Sequence, residues 1–593
     1  MKTHLEYRLK ADDQLCFIHI PKTAGTTFTS IIDQKFNVDE ICPELVNLQK
    51  VSEVQEEGIS IAPERVAKYK LIRGHFSYDT IDRFLLKKPL YLTILRNPLD
   101  RTISLYEFLK RAKEKGEPEY NEDTKVLRDA TDQGLEAFVS NANPTVKART
   151  SNPQTRILAL QPQVDRSDAE LLAIAKANLE QFILVGLTER FQDSVFLLSY
   201  LFGWCPATSF YSLRVASNKP SRENLPQTVI DTIIQYNQLD FELYQFAEKL
   251  FADRFTQMLE MLQQKYGQSV SAHETEAIAA LLERHYEQRY AEQQIFQPTI
   301  DFDFQQAMSG TGWHRRNGRH NGLKANTTTF RWTGPSTQST LDFSLTTDAD
   351  LSVKLRIINA VTPEVLASLK LTVNHYPIAL QTLFQQGNIT VLQGLIPQSA
   401  LLSDRPFTRF TFTVDRTLSL KEAKPGNPDQ RQVGLAFHRI QIQPVARSPQ
   451  DPDYLYLLFP LDDPHWIEAD QFLSAQVQPH EIIVAPNEFY EKYPQQIRFY
   501  NAANRVALSE QPRVRAQWVV IHKGQLEAID SAFLKWAMQG LHPVFANEVF
   551  VIFTERQDVA KLSARAPHLQ AFWAMQPRSL PVKIWHKLKA ILK

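Results

Sequence analysis

The stretch Phe17 to Thr27, FIHIPKTAGTT, constrains the fold more than any other, and a short amphipathic run from Phe28 to Gln34 follows it. Phe17 to Ile20 has the length and apolar character of a buried strand. Pro21 ends it, and Thr26-Thr27 are placed to cap a helix starting at Phe28. A strand, tight loop and helix in that order aim free backbone N–H groups and the positive end of a helix dipole at one point, which suits a phosphate or sulfate group. Gly25 allows the backbone close to such an anion, and Lys22 adds a mobile positive charge. The plainer alternative is a turn that only caps the helix.

Residue order within the loop separates the anion-binding classes. A nucleotide-hydrolase P-loop places its lysine after the last glycine and directly before Ser/Thr, whereas Lys22 here precedes Gly25. The string PKTAGTT resembles the 5′-phosphosulfate loop of sulfotransferases that use 3′-phosphoadenosine-5′-phosphosulfate (PAPS), especially the carbohydrate sulfotransferases related to the heparan 2-O- and 6-O-enzymes. That resemblance implies a P-loop-like parallel-sheet domain and places Lys22, Thr23, Ala24, Gly25, Thr26 and Thr27 on the 5′ end of the donor.

Further segments fit the same pattern. Tyr69 to Ile72 reads as a short strand leading into Arg73-Gly74-His75-Phe76-Ser77-Tyr78. A histidine just beyond a strand end in an open α/β sheet lies where ligands bind, and its titration range suits a general base. A lone histidine is more often structural. The resemblance reverses that reading for His75, because GHFSYD falls where the 2-O- and 6-O-enzymes carry their catalytic histidine. His19 lies within the strand run and reads as structural.

Tyr91 to Leu95 reads as another buried strand, with Asn97-Pro98 starting a helix. Arg96 emerges at the strand end, and helical spacing lets Ser104 face the same ligand. This pair resembles the 3′-phosphate-binding element of PAPS enzymes. Arg101 is either a further phosphate contact or a solvated helix residue. Asn152 to Arg156 is similar to the family's NxQTR element and assigns Gln154 and Arg156 to the donor or acceptor pocket; VGLTERF, Val185 to Phe191, resembles the turn near the nucleotide. Lys110 to Lys147 reads as helices around an irregular lid or acceptor surface, and Ser217 to Arg222 as a basic loop, either closing over the adenosine phosphate or solvated.

The whole chain, at 593 residues, is too long for one core. Its 66 basic and 66 acidic residues balance, so composition points to no nucleic-acid partner and any anion site must be local. Cys16, Cys42 and Cys205 form neither a disulfide framework nor a metal spacing. No run of about 18 apolar residues occurs, which predicts no membrane span. Golgi members of the resembled family carry an anchor, so the expectation here is a cytoplasmic, bacterial enzyme.

The fold expected is multidomain α/β: a sulfotransferase domain over 1–265 and a helical linker over 266–295, broken at Gly267 to Ala272. An antiparallel β-sandwich of jelly-roll type follows over 296–447, then a small α/β domain over 448–560 and a basic amphipathic tail over 561–593. Sandwich strands are expected at Thr327 to Trp332, Ser339 to Leu345, Leu351 to Ile358, Leu369 to Val373, Phe407 to Val414 and Gly434 to Ile442; Trp313, His314 and Trp332 are candidate sugar-stacking residues, with core packing the leading alternative for Trp332. The last domain is expected to carry strands at Tyr454 to Phe459, Glu481 to Ala485, Trp518 to His522, Pro543 to Ala546 and Val549 to Phe553, with a helix from Leu526 to Gln539. The tail, Leu580 to Lys593, is either a packed helix or a peripheral contact with an anionic membrane.

The function expected is PAPS-dependent transfer of a sulfuryl group to a carbohydrate hydroxyl, with His75 as base, Lys22 stabilising the departing phosphate oxygen, and no metal. The alternatives are a nucleotide-dependent kinase or hydrolase, and an inactive nucleotide-binding scaffold carrying a glycan-binding module.

Overall fold

Near-continuous apolar runs build the first sheet. In the computed structural model β1 (Leu15–Ile18), β2 (Leu71–Gly74), β3 (Leu90–Leu95) and β4 (Leu184–Leu187) are all parallel, in the order β2-β1-β3-β4. Such runs suit strands covered on both faces. The chain steps from β1 outward to β2, then back across to β3. The strand order therefore reverses between β1 and β3, and a crevice opens there at the C-terminal ends of the strands, the usual ligand position in open α/β sheets. The described residues are 5–42, 63–119, 121–159, 166–208, 225–267, 270–317, 329–424, 426–448, 451, 454–461, 463–493, 497–500 and 516–575. The Ser217 to Arg222 loop and the Leu580 to Lys593 tail lie outside them.

Contacts divide the chain into two compact units: Met1–Asp350, Ala360–Leu380 and Leu395–His438 form one, and Leu351–Asn359, Gln381–Gly394 and Arg439–Lys593 the other. In the first unit α1 (Gly25–Ile32), α2 (Tyr78–Phe84) and α3 (Pro98–Glu114) follow the first three strands, α4 (Pro153–Ala159) precedes β4, and α5 (Phe191–Phe202) follows it. Two further helices, α6 (Gln238–Tyr266) and α7 (Thr275–Ala291), are separated by Gly267, which ends α6 with φ 70°. They bring Phe251, Phe255, Met258, Leu262, Ile278 and Leu281 into the same core as Phe17, Ile72, Leu92 and Val185.

The start of the chain differs in detail from expectation. β1 ends at Ile18, so His19 and Ile20 lie beyond it. The helix begins at Gly25, with Ala24 as its N-cap and no side-chain cap. Left-handed backbone at Lys22 (φ 73°) and Ala24 (φ 61°) tightens the loop and brings the helix forward. Thr26 and Thr27 therefore fall inside its first turn rather than before it.

The first unit also holds an antiparallel sheet, in the order Tyr376–Ile378, Lys370–Val373, Thr408–Thr413, Gln338–Phe343. Alternation along Thr408–Thr413 turns Phe410 and Phe412 inward. Trp313 and Trp332 are only 5% and 3% exposed, and His314 is likewise buried. Trp313 packs against Phe304, Phe412 and Phe437 while its indole N–H donates to Thr340 O at 2.9 Å. The sugar-stacking candidates are thus buried instead, which for Trp332 is the packing alternative read from the sequence.

The second unit contains a mixed sheet ordered Ile497–Tyr500, Ile483–Pro486, Trp518–His522, Phe550–Thr554, His542–Ala546. The first three strands run parallel and the last two pair antiparallel. Ile497–Tyr500 was not expected. Tyr454 to Phe459 forms no strand: Leu457, Leu458 and Phe459 are buried as expected. However, the Leu455 and Leu458 N–H groups donate to the Gln443 and Glu491 side chains instead of a strand ladder. The expected helix is Ser531–Gly540, preceded by a short 3₁₀ turn at Lys523–Ala528. Strands Leu380–Gln386 and Ile389–Ile396, neighbours joined through Gly387-Asn388, were also unexpected, because the outer strand is mostly exposed and lacks clean alternation. Among the described residues no helix is long and apolar enough to cross a membrane, and no group of three or more His, Cys, Asp or Glu is placed to hold a metal ion.

Candidate active site

The loop after β1 stores backbone strain. Lys22 and Ala24 both hold positive φ without being glycine, a conformation that persists only where its surroundings enforce it. In the first turn of α1 the Thr27 N–H donates to Ala24 O at 3.1 Å, while the Gly25 and Thr26 N–H groups precede the first intrahelical bond at the C-terminal edge of the sheet. Gly25 also makes room for His19: a Cβ there would lie 2.0 Å from His19 Cδ2.

The two sides of the crevice are stitched together. Arg96, leaving β3, donates from Nη1 to Lys22 O at 3.1 Å. The Lys22 ammonium lies 4.2 Å from the centre of the Phe108 ring on α3. Ser104 is one helical turn before Phe108 and so shares its face, half-buried. The structure thus gathers Lys22, Arg96 and Ser104 where β1 and β3 diverge.

Arg96 is itself held. Buried Gln154, on α4, accepts from Arg96 N at 3.0 Å through Oε1 and donates to Arg96 O at 2.8 Å through Nε2. Glu189 accepts from Asn97 N at 3.0 Å and from Tyr244 OH at 2.7 Å. Asp240, on α6, accepts from Gln154 N at 3.0 Å, Thr155 N at 2.7 Å and Thr155 Oγ1 at 2.8 Å. Burial pushes the Asp240 carboxyl up, with the Thr155 bonds and Arg101 opposing. Arg101 is neither solvated nor at the crevice mouth: it is 1% exposed and donates to Arg149 O at 2.8 Å, and burial brings its pKa down to about 10. Arg156 is half-buried and donates to Ser151 O at 3.2 Å. Gln154 therefore acts on the Arg96 backbone, and Asp240 acts on Gln154. Asp240 was not singled out in the sequence, where it looks like any acid at the start of an amphipathic helix.

Beyond β2, His75 Nδ1 lies 2.7 Å from His19 O. A carbonyl only accepts, so Nδ1 carries the hydrogen and Nε2 carries the lone pair in the neutral ring. The two imidazole centres are 4.2 Å apart. His19, read from sequence as a strand residue, is thus the group that fixes the His75 tautomer. Both rings line a cavity of about 180 Å³ together with Thr26, Ser30 and Arg73. Arg73 holds Asp33 through two bonds, of 2.5 and 2.8 Å.

The chain's similarity to known proteins falls on this part. Residues 5–247 match the model of the sulfotransferase family. The chain is similar to heparan sulfate 2-O-sulfotransferase hst-2 of Caenorhabditis elegans, 27% identical over 191 residues covering 30% of this chain and 57% of that protein. It is also similar to heparan-sulfate 6-O-sulfotransferase 1-B of Danio rerio, 22% identical over 43% of this chain and 70% of that protein. The human heparan-sulfate 6-O-sulfotransferase 1 is 23% identical over 43% of this chain and 69% of its own length. The chain therefore spans little more than half of the nematode relative.

Proposed function

We propose that this protein is a PAPS-dependent sulfotransferase acting on a carbohydrate hydroxyl. The observation that carries the reading is the bridge from Arg96 to the Lys22 carbonyl across the point where the sheet reverses its strand order. It joins a strained anion loop to a cationic strand end with Ser104 beside it, a set made of donors and positive charge, as a donor with phosphate at both ends requires. Lys22, with the backbone N–H groups of Thr23 to Thr26, would hold the 5′ end, and Arg96 with Ser104 the 3′-phosphate. Bound PAPS supplies the sulfuryl group, whose sulfur takes the acceptor oxygen as its bond to the 5′-phosphate oxygen breaks. His75 Nε2 accepts the proton from the acceptor hydroxyl, and the His19 carbonyl keeps that nitrogen the basic one. Lys22 balances charge on the departing phosphate oxygen. Alongside this we read residues 296–447 as an accessory jelly-roll sandwich and 448–560 as a small α/β module.

Calorimetric titration with 3′-phosphoadenosine-5′-phosphate tests the donor class, with ADP and ATP as comparisons. Binding is expected to need the 3′-phosphate and to weaken about tenfold or more in Arg96→Ala. A preference for ATP, or equal binding by the variant, would overturn the reading.

A further inference from the structure

The cavity beside His75 belongs to the candidate active site. One of its walls is pinned by Arg316, which donates through Nη2 to Phe36 O at 3.0 Å, and the run ahead of Arg316 is tied to the turn after α1, where Met308 N donates to Gln34 O at 2.8 Å. A different cavity, of about 320 Å³, lies in the second unit, and every side chain on its wall belongs to that unit. Sites for small molecules begin at about that volume and combine an apolar wall with a few converging polar groups.

Strand alternation builds its floor. Along Leu351–Ala360 the buried Val353 and Leu355 turn to one face, which puts Ser352 and Lys354 together on the other. Lys354 is only 6% exposed, and a buried ammonium needs partners. It donates to Tyr454 OH at 2.6 Å and to Glu491 Oε1 at 3.4 Å, and its nitrogen lies 4.6 Å from the centre of the Tyr454 ring. The side chains that keep Tyr454 to Phe459 out of a strand also hold it along the cavity: Glu491 accepts from Leu458 N at 2.9 Å and Gln443 Oε1 from Leu455 N at 3.1 Å.

These bonds leave donors over. An ammonium carries three N–H groups and accepts nothing, so the Tyr454 oxygen is the acceptor in its bond to Lys354. The Tyr454 hydroxyl hydrogen has no acceptor among the described residues, and one Lys354 N–H remains after Tyr454 and Glu491 are served. Gln443 is bonded through its oxygen alone, which leaves its amide nitrogen without an acceptor among those residues. Gln393 and Ser352, also on the wall, bond each other at 3.2 Å. Glu491 has both oxygens engaged, and Arg447, paired with Asp451 at 3.7 Å, adds a second cation to the wall. The rest of the wall is apolar. The Phe384 and Tyr490 rings meet at 5.2 Å beside buried Val391 and Leu458, while Leu383 and Val445 are exposed.

We propose that this cavity binds a small monocarboxylate with a flat apolar body. Its carboxylate takes hydrogen bonds from Lys354, Tyr454 and Gln443, and its body packs against Phe384 and Tyr490. A carboxylate only accepts and spreads its charge over two oxygens, which matches a cluster of unused donors around an ammonium. Two cations against one carboxylate on the wall suit a single negative charge, and the ring pair favours a planar body. The site stands apart from the sulfotransferase reading and draws on none of its residues.

The test is calorimetry on the full chain with three probes of one shape: 2-naphthoate, its neutral amide 2-naphthamide, and 2-naphthylmethylammonium. 2-Naphthoate is expected to bind about tenfold or more tighter than the amide, with the ammonium weakest, and to bind equally well in excess 3′-phosphoadenosine-5′-phosphate. Lys354→Met should weaken 2-naphthoate by about tenfold or more. That variant strands Glu491, so Tyr454→Phe decides where it fails to fold: the ring stays, one donor goes, and the margin of carboxylate over amide should narrow. Equal affinity for carboxylate and amide, tighter binding of the ammonium, an unchanged margin in Tyr454→Phe, or no binding of any probe would overturn the proposal. Displacement of 2-naphthoate by the nucleotide would overturn it too, by moving the probe to the first unit.

Discussion

At the scale of single residues, the His75 ring carries the sharpest chemical consequence. With Nδ1–H fixed on the His19 carbonyl, Nε2 is the nitrogen able to take a proton. His75→Ala is expected to lower turnover by about 10²- to 10⁴-fold while leaving nucleotide affinity unchanged, read by steady-state rates beside calorimetry. Unchanged turnover would remove His75 from the mechanism. His75 and Arg96 were legible in the sequence because each directly follows an apolar strand. The residues that hold them were not. Gln154 and Asp240 are 86 positions apart yet share a hydrogen bond, and only the fold reveals that the amide of one and the carboxylate of the other serve Arg96. His19 was misread for a local reason: the apolar run continues through Ile20, but the strand stops at Ile18.

At the scale of elements, the run from Gly310 to Arg316 joins the antiparallel sheet to the end of α1, and its behaviour should depend on pH. Burial holds His314 down to about 4, against some opposition from its bond to Gln432 O. In the unfolded chain the ring protonates near its usual value of about 6.5. Between those values only the unfolded chain binds the proton, so stability is present above the window and is lost as pH falls through it. The loss attributable to this ring is about 2 kcal/mol between pH 7.5 and pH 5. Urea unfolding at the two pH values should show a shallower dependence in His314→Gln than in the native chain; equal slopes would refute the assignment. Elements with a clear apolar period, such as Trp518–His522, were legible. The segment Tyr454 to Phe459 misled because burial by itself does not make a strand: the Leu455 and Leu458 N–H groups were taken by side chains.

At the scale of the molecule, the family match stops within α6, whose later turns complete the core under the first sheet. A chain ended after residue 247 loses Phe251, Phe255, Met258, Leu262, Ile278, Leu281 and Leu282. Each such side chain contributes about 1.5–3 kcal/mol, and domains hold only about 5–15 kcal/mol in total. The truncated chain should therefore show no cooperative thermal transition and no near-ultraviolet dichroism; a native-like melt would show the later helices to be dispensable.

The clamp of Arg316 on the Phe36 carbonyl closes a span of 280 residues, which sets an order of events during synthesis. At roughly 5–20 residues per second a ribosome needs about 14–56 s to make that span. The Lys22 to Thr27 loop and His75 leave the ribosome early, while the cavity wall that Arg316 pins beside them is still unmade. Through that interval the carbonyls of Gln34 and Phe36 face water or a chaperone, and a nascent chain released too soon would hold the Lys22 loop without the cavity wall that closes beside it.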